Sequence, residues 1–248
     1  MRTIYNKAYL DGTPLESVPR VKVLKVTEDR PKSSRDTLPL GGRDGGILIR
    51  NTRESLAVKV DFAIRVRDDM REWHRTLNEV RGWCGDGRLT VYSRPGQCLD
   101  VVCTGLPVPG KGIFDSMTIE FTALGWPYWR DEQAAAVQVA DTVTRVMPGD
   151  RVPGIVDASV TVGTGGASSV SVGAGTDVIT VTGSFSQGDV IDFGHDANGF
   201  LTIKKGALSL LAARTAGSAD DLRPVGRQPV ALSVDGGTAV FYLRGCYR

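Results

Sequence analysis

Histidine and cysteine are scarce in this sequence: His74 and His195, then Cys84, Cys98, Cys103 and Cys246, among 248 residues. No two cysteines stand in a C-x-x-C spacing, and four in a chain of this length do not make a disulfide framework. A zinc ribbon, a thioredoxin-like redox motif and a stapled miniature scaffold are therefore excluded, and reduced, mostly buried thiols are expected. Charge of one sign is also lacking, because 30 Lys and Arg stand against 28 Asp and Glu for a net +2. Phosphate binding rests on a concentrated basic surface, so no specific nucleic-acid binding is expected. No apolar run approaches the roughly 18 residues of a membrane helix. The start, Met1-Arg2-Thr3-Ile4-Tyr5-Asn6-Lys7, lacks the apolar core of a signal peptide. The expectation is a protein assembled in a cytoplasm, without a membrane partner.

Catalytic signatures are missing too. There is no G-x-S-x-G elbow for a serine nucleophile and no Walker A sequence for a nucleotide phosphate. Gly173-x-Gly175 lies between two β-like runs with no helix start to offer amides to a phosphate. Asp68-Asp69 and Asp220-Asp221 read as caps and solvated turns rather than paired carboxylates. Asp192, Asp196 and Asn198 crowd together without the spacing of a calcium loop. His74 reads as a helix-surface residue, and His195, within Gly194-His195-Asp196-Ala197-Asn198-Gly199, as part of a hairpin turn. No enzyme, cofactor or metal is expected.

What the chain has in quantity is β-strand pattern. Leu56, Val58, Val60, Phe62, Ile64 and Val66 alternate with Ala57, Lys59, Asp61, Ala63 and Arg65, and that period puts all six apolar side chains on one face of a strand. Shorter alternations occur at 21–26, 47–49, 89–92, 99–102 and 117–122. One helix interrupts them. Asp68 and Asp69 offer caps, Met70, Trp73, Leu77 and Val80 form an apolar stripe, and Gly82 suits the exit, which predicts a helix over about 69–81.

Composition shifts near residue 133. Residues 1–133 carry 39 charged side chains, whereas 134–248 carry 19 and hold 17 of the 30 glycines. The expectation is a domain over 1–133 and a second over 134–248. In the latter, eight short strands between turn signals, at 137–146, 155–162, 169–172, 178–181, 190–193, 200–203, 230–234 and 239–242, predict a β-sandwich. Gly163 to Gly175 has the composition of a mobile loop rather than a paired hairpin. Two further segments stand out. Leu38-Pro39-Leu40-Gly41-Gly42-Arg43-Asp44-Gly45-Gly46 displays an Arg-Asp pair among four glycines. Gly125-Trp126-Pro127-Tyr128-Trp129-Arg130 packs three aromatics beside a proline, as an interdomain staple, a subunit-interface anchor or a sugar-stacking platform.

Taken with Tyr9-Leu10-Asp11-Gly12 near the start, and with Leu222-Arg223-Pro224-Val225-Gly226 before the last strands, these features make the chain resemble the distal tail proteins of long-tailed, noncontractile bacteriophages. The resemblance implies a mainly β fold: an N-terminal antiparallel β domain with one inserted helix, then a galectin-like β-sandwich. It implies a structural hub of the tail tip or baseplate, a hexameric ring joining the tail tube to the adsorption apparatus in the virion. Its partners would be the tail tube protein, a tail-associated lysin or hub protein, the tape measure protein and receptor-binding proteins. Arg43, Asp44, Trp126, Tyr128 and Trp129 are the candidate interface residues. A carbohydrate-binding adhesion module is the alternative, weakened because 134–248 contains no tryptophan.

Overall fold

The structure, a computed structural model, describes residues 6–29, 33–39, 46–53, 55–66, 69–109, 116–123, 125–196 and 198–248. The chain divides into two compact units, Met1–Tyr128 and Trp129–Arg248.

The first unit contains β1 (Ala8–Leu10), β2 (Thr13–Pro14), β3 (Val21–Asp29), β4 (Ser33–Pro39), β5 (Gly46–Arg53), β6 (Ala57–Ile64), α1 (Met70–Trp83), β7 (Gly87–Val91), β8 (Gln97–Gly105) and β9 (Met117–Ala123). An antiparallel sheet runs in the order β2-β1-β7-β8-β9-β6-β3, while β4 and β5, among the described residues, form a two-stranded sheet of their own. The alternation read from the sequence is realised in β6 and its flanks: Leu56, Val58, Val60, Phe62, Ile64 and Val66 are all buried. They share that core with Ile119 and Phe121 of β9 and Leu89 and Val91 of β7.

The sheet curls until its ends meet. Asn6, just before β1, donates its side-chain amide to Leu24 O of β3 at 2.6 Å. Glu16, between β2 and β3, accepts from Val23 N at 3.4 Å. Arg94, in the β7–β8 turn, holds Glu28 of β3 in a two-pronged ion pair at 2.8 and 2.7 Å, although β8, β9 and β6 separate them in the strand order. Right-handed twist accumulated over seven strands makes such near-closure a natural outcome.

α1 covers the core with Trp73, Thr76, Leu77 and Val80. Asp69 caps it by accepting from Arg71 N and Glu72 N at 2.9 and 3.1 Å; Asp68 lies outside the described residues. Two details differ from the sequence reading. Met70 is 50% exposed and belongs to the solvent side of the first turn. The helix also runs past Gly82 to Trp83, whose ring meets Phe121 edge-on at 6.1 Å and whose indole donates to Thr13 O at 3.0 Å. Those contacts outweigh the weak helix preference of one glycine, which costs only about 1 kcal/mol.

The second unit contains β10 (Trp129–Asp131), β11 (Ala135–Val139), β12 (Thr142–Val146), β13 (Ile155–Val162), β14 (Ala167–Ala174), β15 (Asp177–Phe185), β16 (Val190–His195), β17 (Leu201–Lys205), β18 (Leu208–Ser209), β19 (Pro229–Asp235), β20 (Gly237–Arg244) and β21 (Cys246–Tyr247). One sheet is ordered β11-β20-β13-β16-β17-β18 and the other β12-β19-β14-β15. Val160, Ile191 and Phe241 from the first pack with Val170, Val172, Ile179 and Leu232 from the second in a common core, which makes a β-sandwich.

Two expectations are corrected here. The run 137–146, read as one strand, is broken at Ala140-Asp141 into β11 and β12, which pair with β20 and β19 in different sheets. A segment that begins in one layer and ends in the other must bend between them. The segment 163–175, read as a mobile loop, supplies β14, paired with β15 on one side and β19 on the other. Val170, Val172 and Ala174 alternate into the core, and this period-two pattern outweighs the glycine and serine content that suggested a loop.

Candidate functional site

The aromatic segment Trp126-Pro127-Tyr128-Trp129 is buried, with exposures of 7%, 8% and 0% for Trp126, Tyr128 and Trp129. No ring face is left for a sugar to stack on, which removes that option. Trp129 opens β10, which pairs with β21 in the register Trp129↔Tyr247 and Arg130↔Cys246. Asp131 then fastens the end of the chain: its carboxylate accepts from Gly245 N at 2.8 Å and from the Tyr247 hydroxyl at 2.9 Å, while its amide donates to Gly245 O at 2.9 Å. Burial, together with the Asp131 carboxylate beside it, pushes the Tyr247 phenol up to about 12. The first and last strands of this unit are thus tied by backbone and side chain together. Arg43 and Asp44 lie outside the described residues.

Sequence reading missed a charged cluster centred on His195. The His195 side chain is 7% exposed at the end of β16, with Nδ1 at 2.7 Å from Asp157 Oδ1 and Nε2 at 2.7 Å from Asp221 Oδ1. Arg244 of β20 holds the other oxygen of Asp157 at 2.7 Å, and Arg223 is paired with the other oxygen of Asp221. Burial by itself would lower the imidazole's pKa, but the hydrogen bonds to Asp157 and Asp221 and their charges raise it to about 9. Asp221 is in turn held below the ordinary carboxylate range, burial notwithstanding, by His195 and then by Arg223. An imidazolium with both nitrogens donating to carboxylates has no lone pair for a substrate proton, so this cluster is a clamp rather than a general base.

The other groups noted from sequence are placed plainly. His74 is exposed on α1, its ring edge-on to Trp73 at 5.1 Å. Asp196 spends one oxygen on Asn198 N and Phe200 N, both at 2.9 Å, closing a turn. Asp192 accepts from the Ser159 hydroxyl at 2.7 Å. Asp220 is solvent-facing and pairs with Arg214 at 3.1 Å. Among the described residues no group of three or more His, Cys, Asp or Glu is placed to hold a metal ion, and no helix is long and apolar enough to cross a membrane. An open hollow of about 360 Å³ lies between Gly165, Gly166, Ala167 and Ser168 on one side and Gly183, Ser184 and Phe185 on the other. Hydroxyls and a ring line it without a charged group, so it offers no acid, base or metal ligand.

No family model matches the sequence, and no curated protein matches it. Solved structures do. The SPP1 Dit (gp 19.1) protein, described as a paradigm of the hub adsorption apparatus in phages infecting Gram-positive hosts, superposes with a TM-score of 0.70 at 12% identity, over 96% of this chain and 98% of that one. The chain shares its fold. A chain of the phage P2 baseplate, in its activated conformation with Ca, superposes with a TM-score of 0.51 at 11% identity, over 97% and 98% of the two chains. Both matches span essentially the full length of each chain, so they cover the curled sheet with its helix and the sandwich alike.

Proposed function

We propose that this chain is a structural hub protein of a bacteriophage tail tip, a ring subunit that joins the tail tube to the host-adsorption apparatus. The observation that carries this reading is the end-to-end likeness in fold to the SPP1 Dit protein. A fold alone does not assign a function, but here two architecturally distinct units recur together, in order and at full length, in proteins of phage hubs and baseplates. The near-neutral charge suits the role, since a conduit for DNA works best if it does not grip its cargo. The absence of catalytic motifs suits it too, and no cofactor is required.

In this reading the first unit makes the ring, six copies around the tail axis, with Arg43 and Asp44 at the subunit contacts and polar matching setting their order. Trp126, Tyr128 and Trp129 serve the ring from within, fixing the course of the chain rather than touching a neighbour. Tail tube, tail-associated lysin, tape measure and receptor-binding proteins are the partners, and the virion tail tip is the location. Negative-stain electron microscopy and light scattering of the purified full chain test this. The expected product is a ring of about six times the 26.6 kDa monomer mass; a strictly monomeric protein at every concentration overturns it.

A further inference from the structure

The chain has four asparagines, Asn6, Asn51, Asn78 and Asn198, and only Asn198 is followed by glycine. The Asn198-Gly199 pair lies in the turn between β16 and β17. Asn198 is exposed and its backbone N–H donates to Asp196 Oδ1 at 2.9 Å, but among the described residues its side-chain carboxamide has no hydrogen-bond partner. Gly199 has a φ of +79°, its N–H donates to Asp196 O at 3.0 Å, and its carbonyl accepts from the Arg223 guanidinium at 3.5 Å. The other asparagines are placed differently. Asn6 spends its carboxamide on Leu24 O at 2.6 Å and precedes Lys7, while Asn78 lies inside α1 and precedes Glu79. Asn51, in β5, precedes the β-branched Thr52.

We propose that Asn198 is a self-modification site, where the chain converts the asparagine through a cyclic imide into isoaspartyl and aspartyl forms. The Gly199 backbone nitrogen attacks Asn198 Cγ and forms a C–N bond. The side-chain nitrogen leaves as ammonia, taking the proton that Gly199 gives up. Water then adds to one of the two imide carbonyls and breaks its C–N bond. Opening at the Asn198 backbone carbonyl leaves the chain running through Cγ, the isoaspartyl form; opening at Cγ leaves an ordinary aspartate. No oxidant, reductant or cofactor enters, and either route ends with one new carboxylate.

Selectivity follows from the surroundings. Glycine sets no side chain in the path of ring closure, whereas Lys7, Thr52 and Glu79 each set one. The attacking nitrogen is the one whose N–H closes the turn on Asp196 O, so reaction waits on local opening, which costs least at an exposed loop tip. Alkali speeds it, because the amide must lose its proton. The isoaspartyl product cannot rebuild the turn. It adds a methylene to the main chain between Asp196 and Phe200, whose bonds, Asp196 N to Phe200 O at 3.0 Å and Phe200 N to Asp196 Oδ1 at 2.9 Å, define that turn.

The test incubates the purified full chain for weeks at pH 7.0 and 8.5 beside a synthetic peptide of residues 194–200. Peptide mass spectrometry follows the amide-to-acid change at each asparagine, and an isoaspartyl methyltransferase with a labelled methyl donor counts isoaspartate. Conversion at Asn198 should outpace that at Asn6, Asn51 and Asn78 on the order of tenfold, a barrier lower by about 1.4 kcal/mol. It should run faster at pH 8.5, slower than in the free peptide, and vanish in N198Q, whose longer side chain disfavours ring closure. The converted chain should melt about 4 °C lower in its second unit, the equivalent of one lost hydrogen bond, whereas fresh N198D, with the charge but not the longer backbone, should not. Asn198 intact after the peptide has fully converted, or converting no faster than the other three asparagines, overturns the proposal. The wild-type time course suffices should a variant fail to fold.

Discussion

At the scale of single residues, His195 ties protonation to stability. Its unfolded value is near 6.5, and the flanking Asp157 and Asp221 carry the folded value to about 9. Below pH 6.5 both states hold the proton and the clamp contributes fully. Between 6.5 and 9 the unfolded chain has released the proton that the folded chain retains, so stability falls with rising pH, by at most about 1.4 kcal/mol per pH unit, and levels off above 9. Asp221, held low, adds stability that is lost only as pH falls through the acidic range. Urea titrations from pH 5 to 9.5 should show this decline in the second unit's transition, and H195Q, though less stable overall, should lack it. A wild-type profile flat from 6.5 to 9 refutes the protonated clamp. None of this cluster was legible in the sequence. Asp157, His195, Asp221 and Arg244 come from distant positions, and they converge because β13 pairs with both β16 and β20. The local pattern around His195 truly is that of a turn, which Asp196 closes. The six buried positions from Leu56 to Val66 were legible for the opposite reason: a strand's period is written in consecutive residues.

Elements show the same division between local and distant causes. The capping of α1 by Asp69 and the apolar stripe of Trp73, Leu77 and Val80 are local and were foreseen, whereas the continuation to Trp83 depends on Phe121 and Thr13. Gly149 is the sharpest case of a distant constraint. Within Pro148-Gly149-Asp150 it reads as ordinary turn chemistry, and its φ of +96° fits that reading. The stronger demand is steric. A Cβ there would lie 2.5 Å from Cys246 N and 2.7 Å from Cys246 O, because Asp150 N donates to Cys246 O at 2.8 Å and draws the two backbones together. Gly149→Ala therefore combines a left-handed backbone with a clash against β21, an element held in turn by Asp131. It should cost clearly more than 1 kcal/mol, seen as a lowered melting temperature for the second unit, and should weaken the anchoring of Tyr247. A melting curve superimposable on the wild type would show that β21 yields without cost and that the Asp131 contacts do not depend on this crossing.

Over the whole molecule, charge and glycine content change near residue 133, while the structure divides into units at Tyr128 and Trp129, each with its own core. In the first, Val58, Val60, Phe62, Ile119 and Phe121 are fully buried; in the second, Val160, Val170, Ile179, Leu232 and Phe241 are. Cooperative unfolding follows the core, since each unit's buried contacts are gained and lost together. Calorimetry of the full chain should therefore resolve two transitions, assignable by truncating one core at a time. Phe62→Ala leaves a cavity at the centre of β6, and Phe241→Ala one in β20, each costing about 3–5 kcal/mol. Phe62→Ala should lower the first unit's transition and leave the second within a degree or two; Phe241→Ala should do the reverse. A single transition that moves as one with either substitution would instead make the chain one cooperative body. The distinction bears on the proposed ring, because in that reading a hub whose first unit melts independently can lose its sandwich to heat or protease while its subunit contacts persist. Electron microscopy of Phe241→Ala held just above the second unit's melting temperature should then still show rings.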